Sequence, residues 1–222
     1  MYQDITVQAL YDLTHSLAGE RLGALTYPHE ALPLIGEWVL EIGAGLDPAE
    51  YDNPAPSVWI HKTAVVAPTA LIEGPAIIGA RTEVRHCAYI RGKALIGADA
   101  VVGNSTEVKH AIVFDGVQIP HFNYVGDSVL GYYAHLGGGA LLSNFRSDHG
   151  LITIRGEGVE LPTGTNKVGA FIGDFGEIGA GAVLNPGTVI GRSSIVYPLV
   201  AVRGIVPAQH IYKEKGNIVP RR

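Results

Sequence analysis

Cysteine is almost missing from this 222-residue chain: Cys87 stands alone. No intrachain disulfide framework is available, and a reducing compartment is the expected home. Charge is scarce as well, with Asp, Glu, Lys and Arg at 17% and a formal net charge of -5. A mildly acidic, charge-poor chain lacks the electrostatic footprint of a nucleic-acid binder or of a protein held on an anionic membrane. No stretch reaches the roughly 18 continuous apolar residues of a membrane-spanning helix. The opening "MYQDITVQALYDLTHSLAG" lacks the basic start and apolar run of a secretory leader. A cytoplasmic location is the expectation.

What the chain does have is glycine, 29 of them, and a period. From Ile60, steps of six land on Val66, Ile72, Ile78, Val84, Ile90, Ile96, Val102, Val108 and Phe114. Two positions before the middle stations sit small side chains: Ala64, Ala70, Ala76, Thr82, Ala88, Ala94, Ala100 and Thr106. The stepping resumes at Ile172, Ile178, Leu184, Ile190, Val196 and Val202. A helix needs a period near 3.6 and a strand a period of 2, so a sustained six fits strands and excludes a helix. An open sheet of alternating strands would not hold one phase over so many stations. The pattern predicts an all-β solenoid, a parallel β-helix of hexapeptide repeats. Six or seven coils at ~4.8 Å each would stand about 30 Å tall.

The phase slips by one between Phe114 and Ile119 and again between Val125 and Leu130, on either side of His121 and Tyr124. It lapses after Leu142 through "SNFRSDHGLITIRGEGVELPTGTNKVGA". Strand-like alternation in "ITIRGEGVEL" predicts an ordered excursion from the coil. Upstream, Leu32, Ile35, Trp38, Val39 and Ile42 are spaced as one face of a helix with Pro33 in its first turn. A second helix fits residues 4–19. These helices are expected to cover the exposed end of the solenoid. The expected organisation is a helical N-terminal cap and linker over 1–55, the β-helix over 56–205 with an inserted loop near 145–168, and a C-terminal tail over 206–222.

The stretch "YIRGKALIGADAVVGNSTEVKHAIVFDGVQIPHFNYVGDSVLGYYAHLGGGALLSNF" resembles the acetyltransferase domain of bifunctional N-acetylglucosamine-1-phosphate uridyltransferases. It is also similar to stand-alone proteins related to UDP-N-acetylglucosamine pyrophosphorylase. The likeness covers about residues 60–205 and rests on "GN-x-x-E-x-K", "PH-x-x-Y-x-GD" and a later Ser-Asn pair. It implies a left-handed β-helix, a homotrimer with sites between subunits, and acetyl-CoA as co-substrate. It implies His121 as general base, Arg91 and Lys109 as the grip on a sugar's phosphate, and Tyr124 and Asn144 as sugar contacts. Ala180 and Arg203 fall at the height where the donor's acyl end and phosphates would lie. An imidazole with pKa near 6.5 suits the chemistry, because a protonated amine must lose its proton before it attacks a thioester.

Arg91 and Lys109 are eighteen residues apart, one coil, so the period places them on one face in adjacent layers. The chain departs from the family at His135, where an asparagine is expected, and at Phe145, where a tyrosine is expected. Arg146 and His149 stand where a substrate lysine would follow. The acceptor pocket is therefore rebuilt, for a sugar phosphate or a nucleotide sugar. No "GxGTR…PK" segment is present, so nucleotidyl transfer is not expected of this chain. A metal-dependent hydratase shares the scaffold, but its family places two ligand histidines five residues apart, and none of the nine histidines here is so spaced. No metal is expected in the chemistry. The competing reading is a non-catalytic trimeric subunit that binds a sugar nucleotide or serves as structure.

Overall fold

A computed structural model describes residues 2–222. The chain is a parallel β-helix whose three faces are built by strands of two to seven residues. The first face runs from Val58–His61 through Ala76–Ile78 and Ala94–Ile96 to Ala170–Ile172, Thr188–Ile190 and Ile205–Val206. The second face is a sheet of nine strands, from Val65–Val66 to His210–Glu214, with Asn217–Pro220 added antiparallel at its end. The third face carries Leu71–Glu73, Tyr89–Arg91, Leu141–Leu142, Val183–Leu184 and Ala201–Val202. Leaving out the antiparallel return strand, the nine-stranded sheet has eight layers, one or two more than expected, which at ~4.8 Å each is about 35 Å.

The six-residue stations point inward. Ile78, Val84, Ile90, Ile96, Val102 and Val108 are buried, as are Ala76, Ala88, Ala94 and Ala100 two positions earlier. A strand places alternate residues on one side, so each three-residue strand gives the interior a small side chain and a large one. Stacked layers leave little room where chains pass. A Cβ on Gly103 would stand 1.2 Å from the carbonyl oxygen of Pro120 in the next coil. No backbone shift short of parting the layers relieves such an overlap, so Gly103→Ala is expected to destabilise the fold by about 3 kcal/mol or more. Chemical denaturation of the variant measures it.

The helices do not cap the end of the solenoid, as the sequence led us to expect. They lie along its first face. There the middle residue of each strand points outward, and these residues are Ile77, Leu95, Ile112, Val129, Phe171 and Val189. An apolar column of this kind must be covered. The helix Ile35–Ala44 packs on strands Ala76–Ile78, Ala94–Ile96 and Glu107–Val113, and all six outward residues are buried. Pro33 falls within a preceding 3-10 turn, Pro28–Leu34. Residues 4–19 form short turns, Val7–Leu10 the longest, rather than one helix. The first coil is bordered instead by the strand Tyr51–Ala55, antiparallel to Val58–His61, within what was read as linker. The tail is likewise a hairpin, His210–Glu214 with Asn217–Pro220.

The excursion after Leu142 is ordered. Thr153–Gly156 pairs with Val159–Pro162, and Ile152 and Ile154 are buried. This hairpin continues the cover over the lower first face, near Val189 and Ile205. The Tyr2 hydroxyl ties it to the N-terminal segment, donating to the Glu160 carbonyl at 3.2 Å. One face is thus sheathed by the chain itself, and the other two stay open.

Candidate functional site

The five-residue steps build the site. Register pairs Ile96 with Val113, so the first short step lies between Val108 and Val113, not after Phe114; the second, Val125 to Leu130, is where the sequence showed it. The coil above them turns from the third face to the first through two residues of positive φ, Gly92 (74°) and Lys93 (49°). The shortened coils use one, His110 (48°) and Asp127 (49°). With a residue removed, the strands Glu107–Val113 and Tyr124–Leu130 run through the corner, and His110 stacks on Asp127.

Asp127 is 2% exposed and fully engaged. Its Oδ1 lies 2.5 Å from Nδ1 of His110 and its Oδ2 3.3 Å from Nζ of Lys109, and the Asn144 amide donates to it as well. Nε2 of His110 lies 2.6 Å from the carbonyl oxygen of Leu32. A carbonyl only accepts, so that nitrogen carries a hydrogen. The corner is thereby pinned to the N-terminal cover. Burial pushes the Asp127 carboxyl up, but the hydrogen bonds from His110 and Asn144 and the charge of Lys109 outweigh it and hold the group below the usual carboxylate range.

Beside this cluster opens a cavity of about 480 Å³ lined by Arg91, Lys93, Lys109, Lys167, His110 and Asp127. Arg91 and Lys109 stack in adjacent layers, since Val108 pairs with Ile90 in parallel register. Arg91 donates to Glu107 at 2.8 Å from an exposed position. Lys93 lays its stem on the helix at Gly36. Lys167 arrives from the end of the insertion, where it bridges Phe145. Tyr124, half-buried, folds its hydroxyl over Gly126: a Cβ there would lie 2.6 Å from that oxygen and 3.0 Å from the Asn144 amide nitrogen. Burial and the nearby carboxylates of Asp127 and Glu107 raise the Tyr124 phenol.

His121 is not in this cavity. It sits exposed at the opposite edge of the third face, on the corner leading into Tyr124–Leu130. Five residue steps along the chain carry it to Gly126, the register partner of Lys109, a span of at most about 18 Å. Below His121 the corner is nearly bare. Gly139 donates to the His121 carbonyl and Gly181 to that of Gly138, and Leu199 donates to that of Ala180. A Cβ on Gly138 would meet only His121, at 3.8 Å or more, and one on Gly139 would meet nothing. His121 and Ala180 therefore share one corner, with a shelf of small residues between them. His135 points outward from the second face and bonds Glu177 at 2.9 Å. Arg203 is exposed at the lower end of the third face.

The structure thus brings Arg91, Lys109, Tyr124 and Asn144 together and places His121 and Ala180 along another edge. It adds His110, Asp127, Lys93 and Lys167. Counting strand register through the short coils would have put His110 and Asp127 at one corner. Nothing periodic in the sequence could have announced Lys167.

A model of the GMPPB C-terminal domain family matches residues 72–172. The chain is similar to a bifunctional sugar-1-phosphate nucleotidylyltransferase/acetyltransferase of Sulfurisphaera tokodaii, 33% identical over 103 residues, 46% of this chain and 26% of the relative. It is similar too to a bifunctional protein GlmU of Methanococcus maripaludis, 36% identical over 134 residues, 60% of this chain and 32% of the relative. The chain spans about a third or less of the length of these curated relatives. Among solved structures, a putative acetyltransferase from Bacillus cereus aligns over 72% of this chain and 80% of its own at 13% identity and a TM-score of 0.46.

Proposed function

We propose that this chain is a sugar N-acyltransferase that moves an acetyl group from acetyl-CoA to the amine of an amino-sugar phosphate or nucleotide-linked amino sugar. The observation that carries the reading is the third face. A cationic cavity of Arg91, Lys93, Lys109 and Lys167 occupies one edge, and His121 over a side-chain-free shelf occupies the other. The phosphate of the acceptor is held by the cations, Tyr124 and Asn144 lie under the sugar, and the amine comes to His121. The similarity to nucleotidylyltransferase/acetyltransferases supports the same chemistry.

In the step itself the amine gives a proton to the His121 imidazole and attacks the thioester carbonyl. A C–N bond forms, the C–S bond breaks, and the imidazole returns the proton to the departing thiolate. The acetyl group would lie on the shelf of Gly138 and Ala180, and Arg203 stands at the lower end of the same face for the donor's phosphates. His135, the chain's replacement for an amide, is tied to Glu177 on the second face and would meet the acceptor only across a subunit seam. Nucleotidyl transfer is not part of the proposal, since these 222 residues carry no "GxGTR…PK" segment.

The assembly we propose is a homotrimer with sites between subunits. The first face is covered in cis, whereas the corner joining the other two exposes Phe122 at 68% and Leu199 at 85%, apolar surface that a second copy would bury. Light scattering that finds a monomer contradicts it.

The test is release of CoA thiol from acetyl-CoA with a panel of amino-sugar phosphates and nucleotide-linked amino sugars. Lys167→Ala removes one charge-assisted bond to the phosphate and is expected to raise the acceptor KM about tenfold or more with little change in kcat. Acceptor binding with no thiol release would assign the chain to a non-catalytic, sugar-nucleotide-binding subunit instead.

A further inference from the structure

The cover over the first face stops one layer short. Ile77, Leu95, Ile112, Val129, Phe171 and Val189 are buried, but register carries their column one layer lower, from Val189 to Ile205, and Ile205 is only half-buried. The insertion hairpin takes one flank of that side chain, where a Cβ on Gly156 would lie 2.6 Å from its Cδ1. Ile205 also lines a hollow of about 660 Å³, a volume within the usual range of small-molecule sites.

Four parts of the chain wall this hollow. They are the N-terminal turn Gln3–Ile5, the hairpin turn at Glu157 and Gly158, the lowest coils, and the C-terminal hairpin with His210 and Ile218. The Tyr2 hydroxyl locks the first two together, donating to the Glu160 carbonyl at 3.2 Å and accepting from the Glu160 amide at 3.3 Å. Walls on four sides suit a compact molecule rather than an extended chain. Ile5, Val159, Val189, Ile205 and Ile218 give the hollow an apolar lining, and Ile218 is 38% exposed. Apolar surface left in water is a cost that a bound apolar group removes.

The charged lining has one sign. Asp4 and Glu157 both line the hollow, and neither is in an ion pair among the described residues. No lysine or arginine lines it. Nδ1 of His210 donates to the Ala208 carbonyl at 2.8 Å, so in the neutral ring Nε2 is an acceptor. Two carboxylates and an imidazole nitrogen therefore surround an apolar lining, the reverse of the cationic cavity on the third face. An exposed carboxylate attracts a cation weakly on its own. An apolar body buried in the hollow holds its cation beside both carboxylates, so the two contributions act together.

We propose that this hollow binds a small cationic amphiphile, an ammonium group carried on an aliphatic or aromatic body. The site lies on the sheathed first face, apart from the cavity of Lys109 and from the edge that carries His121. It is neither the acceptor site nor the donor site, and its occupancy does not depend on acyl transfer.

Calorimetric titration of the full chain with hexylammonium, phenethylammonium, hexanoate and spermidine tests the assignment. Hexanoate has the apolar body with the wrong sign of charge, and spermidine has the charge without the apolar body. At least one of the two amines is expected to bind about tenfold or more tightly than either control. Tighter binding of hexylammonium identifies an aliphatic body, and tighter binding of phenethylammonium an aromatic one. In the double variant Asp4→Asn with Glu157→Gln, the preference over hexanoate should fall to about threefold or less. Ile218→Trp, a substitution at a partly exposed position, fills the hollow and should weaken amine binding about tenfold or more. Val159→Trp fills it from the hairpin, so the result does not rest on the folding of one variant. The proposal is overturned if neither amine binds at millimolar concentration, or if hexanoate or spermidine binds as tightly as the amines. Binding that survives both tryptophan variants overturns it too, because the amine then sits elsewhere.

Discussion

His121→Ala is expected to lower the turnover of acyl transfer by about 10²–10⁴-fold while leaving the stability of the fold within about 0.5 kcal/mol of the parent. The separation of the two effects follows from where the ring stands. His121 is exposed at a corner, makes no side-chain hydrogen bond among the described residues, and touches only a glycine shelf. Nothing in the packed interior depends on it, so a loss of rate is a loss of proton transfer. The shelf supplies a second handle. Gly138→Ala adds a Cβ at ordinary contact distance from His121, whereas Gly138→Leu extends a side chain over the bare corner toward Ala180. The leucine variant should raise the KM for acetyl-CoA and leave acceptor binding at Lys109 alone. Initial rates with each substrate varied in turn separate these outcomes. If His121→Ala keeps the parental rate, the imidazole is not the base.

The repeat was legible because the physics that makes it is periodic. Ile78, Ile96 and Val113 fill the same interior position in successive coils, so the sequence repeats the requirement each time. The site was legible in part. Arg91 over Lys109 follows from the coil length, whereas His121, read from the motif "PH-x-x-Y", stands at another edge from the cavity. Placing the helices failed for a specific reason. Inward and outward residues alternate along a strand, and Ile77, Leu95 and Ile112 sit between stations that already accounted for the core. Their own column, one per coil, marks the flank that the helix Ile35–Ala44 covers. Lys167 was invisible for the opposite reason. It is brought to Arg91 and Lys109 by the return path of an aperiodic hairpin, and the contact has no sequence spacing to declare it.

Asp127→Ala should cost about 3 kcal/mol of stability, because breaking a buried charged pair strands the partners rather than simply deleting a contact. Lys109, His110 and Asn144 all lose their acceptor at once. For a chain of this length the loss corresponds to a fall in Tm of roughly 6–12 °C. It should be felt first where His110 reaches the Leu32 carbonyl, so limited proteolysis should open the chain near residues 28–34 before the coils. Asp127→Asn keeps the shape and one accepting oxygen but removes the charge, and it should lie between the parent and Asp127→Ala. The pH dependence fixes the cause. The carboxyl is held below its usual range in the folded state, so the native state favours the ionised form. The advantage is complete above the unfolded-state value near 3.9 and is lost as pH falls through the folded-state value. The stability gap between the parent and Asp127→Asn is therefore expected to be widest near neutrality and to close in acid. A gap that stays constant from pH 7 down to pH 3 would mean that the shortened corner is held by shape and not by charge, and that Lys109 is not kept in place by this carboxylate.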